Sequence, residues 1–281
     1  MAKRAKQGGA DLLSEPKNVS DDVRRWLAEI TAARKREQNY RKEGRRIREI
    51  YAGDKPETTP MNILFSNTEV MLPSLYSQVP RPVVQRRFKD NDPLGKAAAN
   101  AGQRVLEFLL DTNVDGYETF HDGMKITTLD SLLPGRGVSC VKYDADVKDI
   151  LDGDEEMPVK QSELVCVDTK SWDRVFFGFA RKWSNVPWVA YEEHIDEEEA
   201  ERLFGKKIAG QIEYSQGEDE DEDGRRNNDE QHKGERKTAL VYQIWDKKGG
   251  RKIRYVSPQY TDGFLKVSDD SLNLTGFFNC P

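Results

Sequence analysis

Apolar residues recur every three or four positions over residues 20–52, with Val23, Trp26, Leu27, Ile30, Ala33, Tyr40, Ile47 and Ile50 on one narrow stripe. That is the period of an amphipathic helix, and it predicts one long helix over this stretch. Ser20 is placed to cap it, Asp21 and Asp22 suit its positive end, and Gly53 suits its stop. Gly44 within it either costs about 1 kcal/mol against alanine or permits a close contact. A second helical pattern covers 61–79, where Pro73 should kink or split it. Pro80 and Pro82 force extended chain at VPRPVV. Residues 93–111 and 116–133 read as two more helices, the last stopped by Pro134-Gly135.

Beyond Gly137 the period falls to two. GVSCVKYD (137–144) and ELVCVDTK (163–170) read as strands, with an acidic loop between them. WDRVFFGF and VPWVAYEEH read as further extended segments, and DEEEAERLFG (196–205) as a short helix with acids crowding its N-terminal end. TALVYQIWD and RKIRYVSPQ flank KKGG and form a β-hairpin. Helices followed by strands define an α+β chain: long N-terminal helices over 20–135, then a β-rich region with hairpins over 136–281. Residues 1–19 read as a disordered basic arm and 215–237 as a mobile acidic loop. Two aromatics in LTGFFNCP, close to residue 281, suggest a longer parent chain.

Composition sharpens this. Charged residues make up 33% of the 281 positions, and the formal charge of −6 hides an asymmetry. Residues 1–50 carry 14 Lys and Arg against 8 Asp and Glu, a balance of +6; residues 151–235 carry 11 against 24, a balance of −13. Net acidity disfavours a free-standing DNA binder, because phosphate contact relies on Lys and Arg. It suits a wall past which DNA slides without sticking. An odd set of cysteines, Cys140, Cys166 and Cys280, with no CxxC, argues against a disulfide scaffold or a zinc site and for reduced, mostly buried thiols. No signal peptide is visible, and no apolar run is long enough for a membrane span.

The search for chemistry returns little. Gly135-Arg136-Gly137 lacks the phosphate-loop pattern and precedes a strand, so it reads as a tight helix-to-strand turn. DILDGDEE (149–156) lacks the ligand spacing of a calcium loop. His121, His194 and His232 neighbour no nucleophile in sequence. Asp130, Asp144, Asp146 and Glu163 are the carboxylates that a metal-dependent nuclease would need to converge. The basic side of the first helix, chiefly Arg34, Arg41, Arg45, Arg46 and Arg48, is the best candidate for contact with DNA or a partner. A solvated face balanced by Glu29, Glu37, Glu43 and Glu49 is the competing reading. Trp26, Tyr40, Tyr76 and Trp245 are the aromatic candidates for packing or a subunit interface. No residue is assigned as catalytic, cofactor-binding or metal-binding.

Four stretches together resemble portal proteins of tailed bacteriophages, closest to the short-tailed type: the basic helix of 20–52; MNILFSNTEVMLPSLYSQVPRPVVQRR (61–87), a helix running into a Pro-x-Pro arm; TTLDSLLPGRGVSCVKYD (127–144), a helix, Gly turn and strand; and VPWVAYEEHIDEEEAERLFG (186–205) followed by LVYQIWDKKGGRKIRYVSP (240–258). The similarity spans about residues 20–281, and the order of the stretches carries more weight than any one of them. It implies the wing portion of a ring subunit, usually one of twelve, at one vertex of the capsid, with stem, tunnel loop and crown following residue 281. It further implies a conduit for double-stranded DNA read without sequence specificity, no cofactor, and no ATP chemistry of its own. Implied partners are the terminase large subunit, major capsid and scaffolding proteins, and a tail or head-completion adaptor. Its implied location is the virion, and the host cytoplasm during assembly. A metal-dependent DNA-processing nuclease and a monomeric head–tail adaptor are the competing functions.

Overall fold

A computed structural model describes residues 19–53, 61–86, 92–111, 118–152, 155–215, 237–270 and 276–280, with side chains described in all of these except 144–164. The expected arm at the N-terminus, apart from Val19, and the acidic loop between Ser215 and Lys237 lie outside the described residues. An antiparallel bridge between Ser215 and Thr238 brings the two ends of the latter together.

The described chain is α+β, with helices and two antiparallel sheets. Helix α1 (Val19–Arg36) and helix α2 (Gln38–Ala52) replace the single helix expected from periodicity. Helices α3 (Ile63–Leu75), α4 (Pro93–Asp111) and α5 (Phe120–Leu132) follow. Pro73 does not split α3; it sits in the last turn, and the helix ends two residues later as the chain turns into the proline arm. Asn62 caps α3 by accepting from the Phe65 amide at 2.9 Å, and Thr119 caps α5 from the Asp122 amide at 3.1 Å.

Strands β1 (Val138–Asp152) and β2 (Glu155–Lys170) form one long hairpin. The segment expected as an acidic loop is therefore its distal half, where register continues from Val147 opposite Lys160 to Asp152 opposite Glu155. The pairing escaped the sequence reading because periodicity detects a strand by its half-buried apolar face, whereas a ladder of backbone hydrogen bonds leaves no such mark. The main sheet runs β3 (Val175–Phe177), β4 (Trp188–Ile195), β5 (Ala239–Asp246), β6 (Lys252–Val256) and β7 (Lys266–Asp269), in that order and all antiparallel. Strand β7 and helix α7 (Lys206–Ala209) were not expected from the sequence; α6 (Glu197–Phe204) was, and Asp196 caps it from the Glu199 amide at 2.9 Å.

Both faces of the main sheet are covered, which is why WVAY at the start of β4 is buried without alternation. On one face, Val23, Trp26, Ile30 and Ala33 of α1 pack on Phe176, Trp188, Ala190, Tyr242, Ile244 and Val256. Trp26 meets Trp188 edge-on at 5.9 Å. On the other face, Val189, Tyr191, Trp245 and Ile253 pack against Cys140 at the base of β1 and against Phe277, Phe278 and Cys280. The aromatics near residue 281 are thus core residues. Asn279 stitches them in: its carbonyl accepts from the Val141 amide at 2.9 Å, its side-chain amide donates to the Val141 carbonyl at 3.1 Å, and Tyr191 Oη donates to its Oδ1 at 2.8 Å. The Cys140 thiol is pushed well up by its hydrogen bond with Cys280 and by burial.

A charge quartet joins the long hairpin to the main sheet. Lys142 of β1 and Lys170 of β2 reach Asp168 at 2.7 and 2.9 Å, and both lysines also pair with Glu193 of β4. Burial works against the Asp168 carboxylate, but Lys170 and Lys142 outweigh it and hold its pKa below the ordinary 3.8. A depressed carboxylate pKa contributes stability that is complete above the unfolded value and is lost as pH falls through the folded one. Asp168→Asn should therefore lower stability at pH 7 and flatten the acid limb. Thermal melts of both proteins between pH 7 and pH 2 check this: the gap in Tm should close as pH falls.

Candidate functional site

The break between α1 and α2 sits at Glu37, whose backbone adopts φ −97°, ψ 7°. Its amide still bonds the carbonyls of Ala33 and Arg34, both at 3.2 Å, so the chain turns without losing its helical hydrogen bonds. The side chain supplies the reason for the turn. Glu37 is a buried carboxylate, and Arg136 from the Gly135-Arg136-Gly137 turn grips it with two parallel hydrogen bonds of 2.8 and 3.0 Å. Arg41, one turn along α2, adds a contact at 3.4 Å. A bidentate guanidinium–carboxylate pair fixes direction as well as distance.

Arg41 is itself buried, with 6% of its surface exposed. It donates to the Val175 carbonyl at 3.0 Å and to the Asp173 carbonyl, and its guanidinium lies 4.4 Å from the centre of the Phe176 ring. Burial lowers its pKa, an effect that Glu37 opposes. Arg136 covers Tyr40 at 4.5 Å, and Tyr40 meets Trp172 edge-on at 5.7 Å. The indole of Trp172 fills the space over Gly44, where a Cβ would stand 2.5 Å from its ring. Gly44 is therefore the close contact rather than a mere weak point in the helix. Further along α2, Arg48 pairs with Asp130 of α5 at 2.8 Å; that carboxylate is 1% exposed, and its burial raises its pKa against the pull of Arg48.

This geometry corrects the picture of one basic surface on the first helix. Arg41 is enclosed, Arg48 is turned to Asp130, and Arg34 pairs with Glu192 of β4 and donates to Tyr242 Oη at 3.0 Å. Arg45 is half-buried, and Arg46 is exposed beside Glu43 at 3.4 Å. These five arginines therefore do not share one solvent-facing stripe. Arg34, Arg41 and Arg48 tie the N-terminal helices to β4, β3 and α5. The aromatic candidates likewise pack within the chain: Trp26 and Trp245 lie in the two halves of the core, Tyr40 covers Trp172, and Tyr76 stacks on His121 at 5.4 Å.

No group of three or more His, Cys, Asp or Glu side chains able to hold a metal ion occurs among the described residues. Asp130 belongs to the Arg48 pair, and the side chains of Asp144, Asp146 and Glu163 lie outside the described residues. His121 is occupied with Tyr76, His194 is exposed on β4, and His232 lies outside the described residues. Arg136 is the residue that sequence reasoning underrated: it read as a turn residue, and only its two-residue distance from Pro134 and its flanking glycines signalled a guanidinium held in a fixed place.

The other feature that stands out is apolar. Helix α3 buries only Thr68, and α4 buries no residue at all. Ile63, Val70 and Leu75 on α3 are 61–70% exposed, Val83 of the arm 69%, and Leu94 and Phe108 on α4 80% and 67%. The arm runs against α4, with Val84 3.8 Å from a Cβ built at Gly102. Among the described residues no helix is long and apolar enough to cross a membrane. No protein-family model matches this sequence, and no curated protein matches it.

Gly44→Ala tests the junction. In an isolated helix the change would stabilise by about 1 kcal/mol. Against the rigid, buried Trp172 ring it should instead destabilise by about 1–3 kcal/mol, the usual cost of overpacking. Chemical denaturation checks the sign, with Gly276→Ala, where a Cβ meets nothing within 4 Å, as the neutral control.

Proposed function

We propose that this chain is a structural subunit of a ring assembly of the phage portal type, which encloses double-stranded DNA at a capsid vertex and docks the packaging and tail machinery. The observation that carries the reading is the unburied apolar surface of α3, the proline arm and α4. A helix that is apolar all round is stable in water only when it is surrounded. Helix α3 carries Ile63, Leu64, Phe65, Val70, Met71, Leu72 and Leu75 in 13 residues, yet buries only Thr68 against its own chain. Monomers seldom leave a contiguous apolar patch beyond about 300–600 Å² in water. Exposed chains distributed over two helices and an arm fit a head-to-tail contact between copies, the kind of interface whose rotation can close a ring.

The remaining support is of two kinds. The order of helices, proline arm, glycine turn and hairpins resembles the portal family. The buried charged residues Glu37, Arg41 and Asp130 serve structural ties, and the described residues form no metal-binding group, which fits a part whose chemistry is supplied by partners. The terminase large subunit, capsid, scaffolding and adaptor proteins are the partners this reading implies, with the virion as its place.

The test is native mass measurement of the protein and of a Val70→Asp/Phe108→Asp variant. Both side chains are exposed in the subunit, so the changes should leave the circular dichroism spectrum intact. Each large apolar side chain buried at an interface contributes about 1.5–3 kcal/mol. The wild type should run as a closed oligomer and the variant as a monomer. An unaltered oligomer in the variant would remove α3 and α4 from the interface, and a monomeric wild type would favour the adaptor reading.

A further inference from the structure

One end of the main sheet is basic and aromatic, in a chain whose overall charge is −6. The loop after β3 and the turn between β5 and β6 meet there. Lys247 Nζ donates to the Ser184 carbonyl at 2.9 Å, and the Lys247 amide to the Pro187 carbonyl at 3.0 Å. The loop presents Arg181 and Lys182 to solvent, the turn presents Lys248 and Arg251, and Arg36 arrives from the end of α1 to donate to the Phe177 carbonyl at 2.6 Å. The carboxylate of Asp246, at the same end, is already taken up by Arg254 at 3.3 Å and the Gly249 amide at 2.7 Å. Asp269 beside it pairs with Lys252.

Among these cations stand two exposed aromatic rings. Phe179 is 74% exposed, with the Arg36 guanidinium 5.9 Å from its centre. Trp183 is 49% exposed, whereas the other four tryptophans of the chain are 3–6% exposed. Phe177 and Phe278 hold the Trp183 ring at 6.0 and 5.9 Å, so it is braced from the core side and open on the other. Cations that can follow a phosphate backbone, interleaved with rings on which bases can stack, are the physical requirements for binding a single nucleic-acid strand without sequence preference.

We propose that this end of the sheet binds single-stranded nucleic acid, its phosphates held by Arg181, Lys182, Lys247 and Lys248 and its bases stacked on Trp183 and Phe179. The proposal does not rest on the ring reading, because every residue in it belongs to one chain.

The experiment uses the full chain, a fluorescein-labelled 20-nucleotide dT strand, a duplex of equal length, and poly-L-glutamate as competitor. Anisotropy reads binding and quenching of intrinsic fluorescence reads Trp183, the tryptophan with by far the most solvent exposure. The strand should bind at 50 mM salt with quenching of Trp183. Four phosphate contacts would weaken it ~50-fold at 200 mM salt, from a slope of about −0.7 per contact. Arg181→Glu/Lys182→Glu should weaken binding at least tenfold, and Trp183→Ala by about tenfold, the loss of one stacked base. Phe179→Ala, at a site with little burial to lose, keeps the stacking arm of the test should Trp183→Ala disturb the fold. No binding at 50 mM salt would overturn the proposal. So would a duplex that binds as tightly as the strand, or poly-L-glutamate that displaces the strand at equal charge; the last would assign the surface to an acidic protein segment instead.

Discussion

One buried carboxylate sets the course of the first third of this chain. Taking the Glu37 charge out of water costs several kcal/mol, and that cost is offset only because Arg136 meets it with two hydrogen bonds and Arg41 with a third contact. The three groups come from three places: the end of α1, the first turn of α2, and the glycine turn before β1. Satisfying them fixes all three at once. With Glu37 in place, α1 lies on the sheet through Trp26 and Ile30, α2 is turned toward Trp172, and β1 begins at a defined point. An apolar substitute of similar size could fill the volume but would not dictate the direction, because only the planar guanidinium–carboxylate geometry does that.

From this constraint the placement of the apolar helices follows. Helix α2 reaches α5 through Arg48 and Asp130, and α5 in turn carries α3 through Tyr76 and His121. Beyond α1, which packs on the sheet through an apolar core, the helices are thus attached by polar contacts and a few rings. Large apolar side chains are left over, with Ile63, Val70 and Phe108 each 61–70% exposed. A polar attachment on one side and an apolar face on the other is the division expected of a part whose second layer is supplied by its neighbours.

Much of the fold was legible because periodicity reports burial. Helix α4 runs from Pro93 to Asp111 as its pattern predicted, and the β5–β6 hairpin and the short acidic helix α6 follow from local signals alone. What escaped was decided by contacts distant in sequence. The apolar stripe resumes at Tyr40 in phase with Ala33, so periodicity shows no break at Glu37; Arg136, 99 positions away, grips that residue. The acidic half of the long hairpin is held by its ladder, which leaves no mark on hydrophobic spacing. The burial of Phe277 and Phe278 was not legible either, because nothing local shows that Val141 and Tyr191 bond Asn279. The candidate arginines illustrate the same limit: sequence places them on one helix, but not which of them find a carboxylate.

The most direct test of the account is an image of the assembled particle at a resolution that shows helices. The account predicts rings in which α3 and α4 of each copy are covered by the adjacent copy, with the proline arm between them. Rings that leave both helices facing solvent would contradict it, as would particles no larger than one subunit.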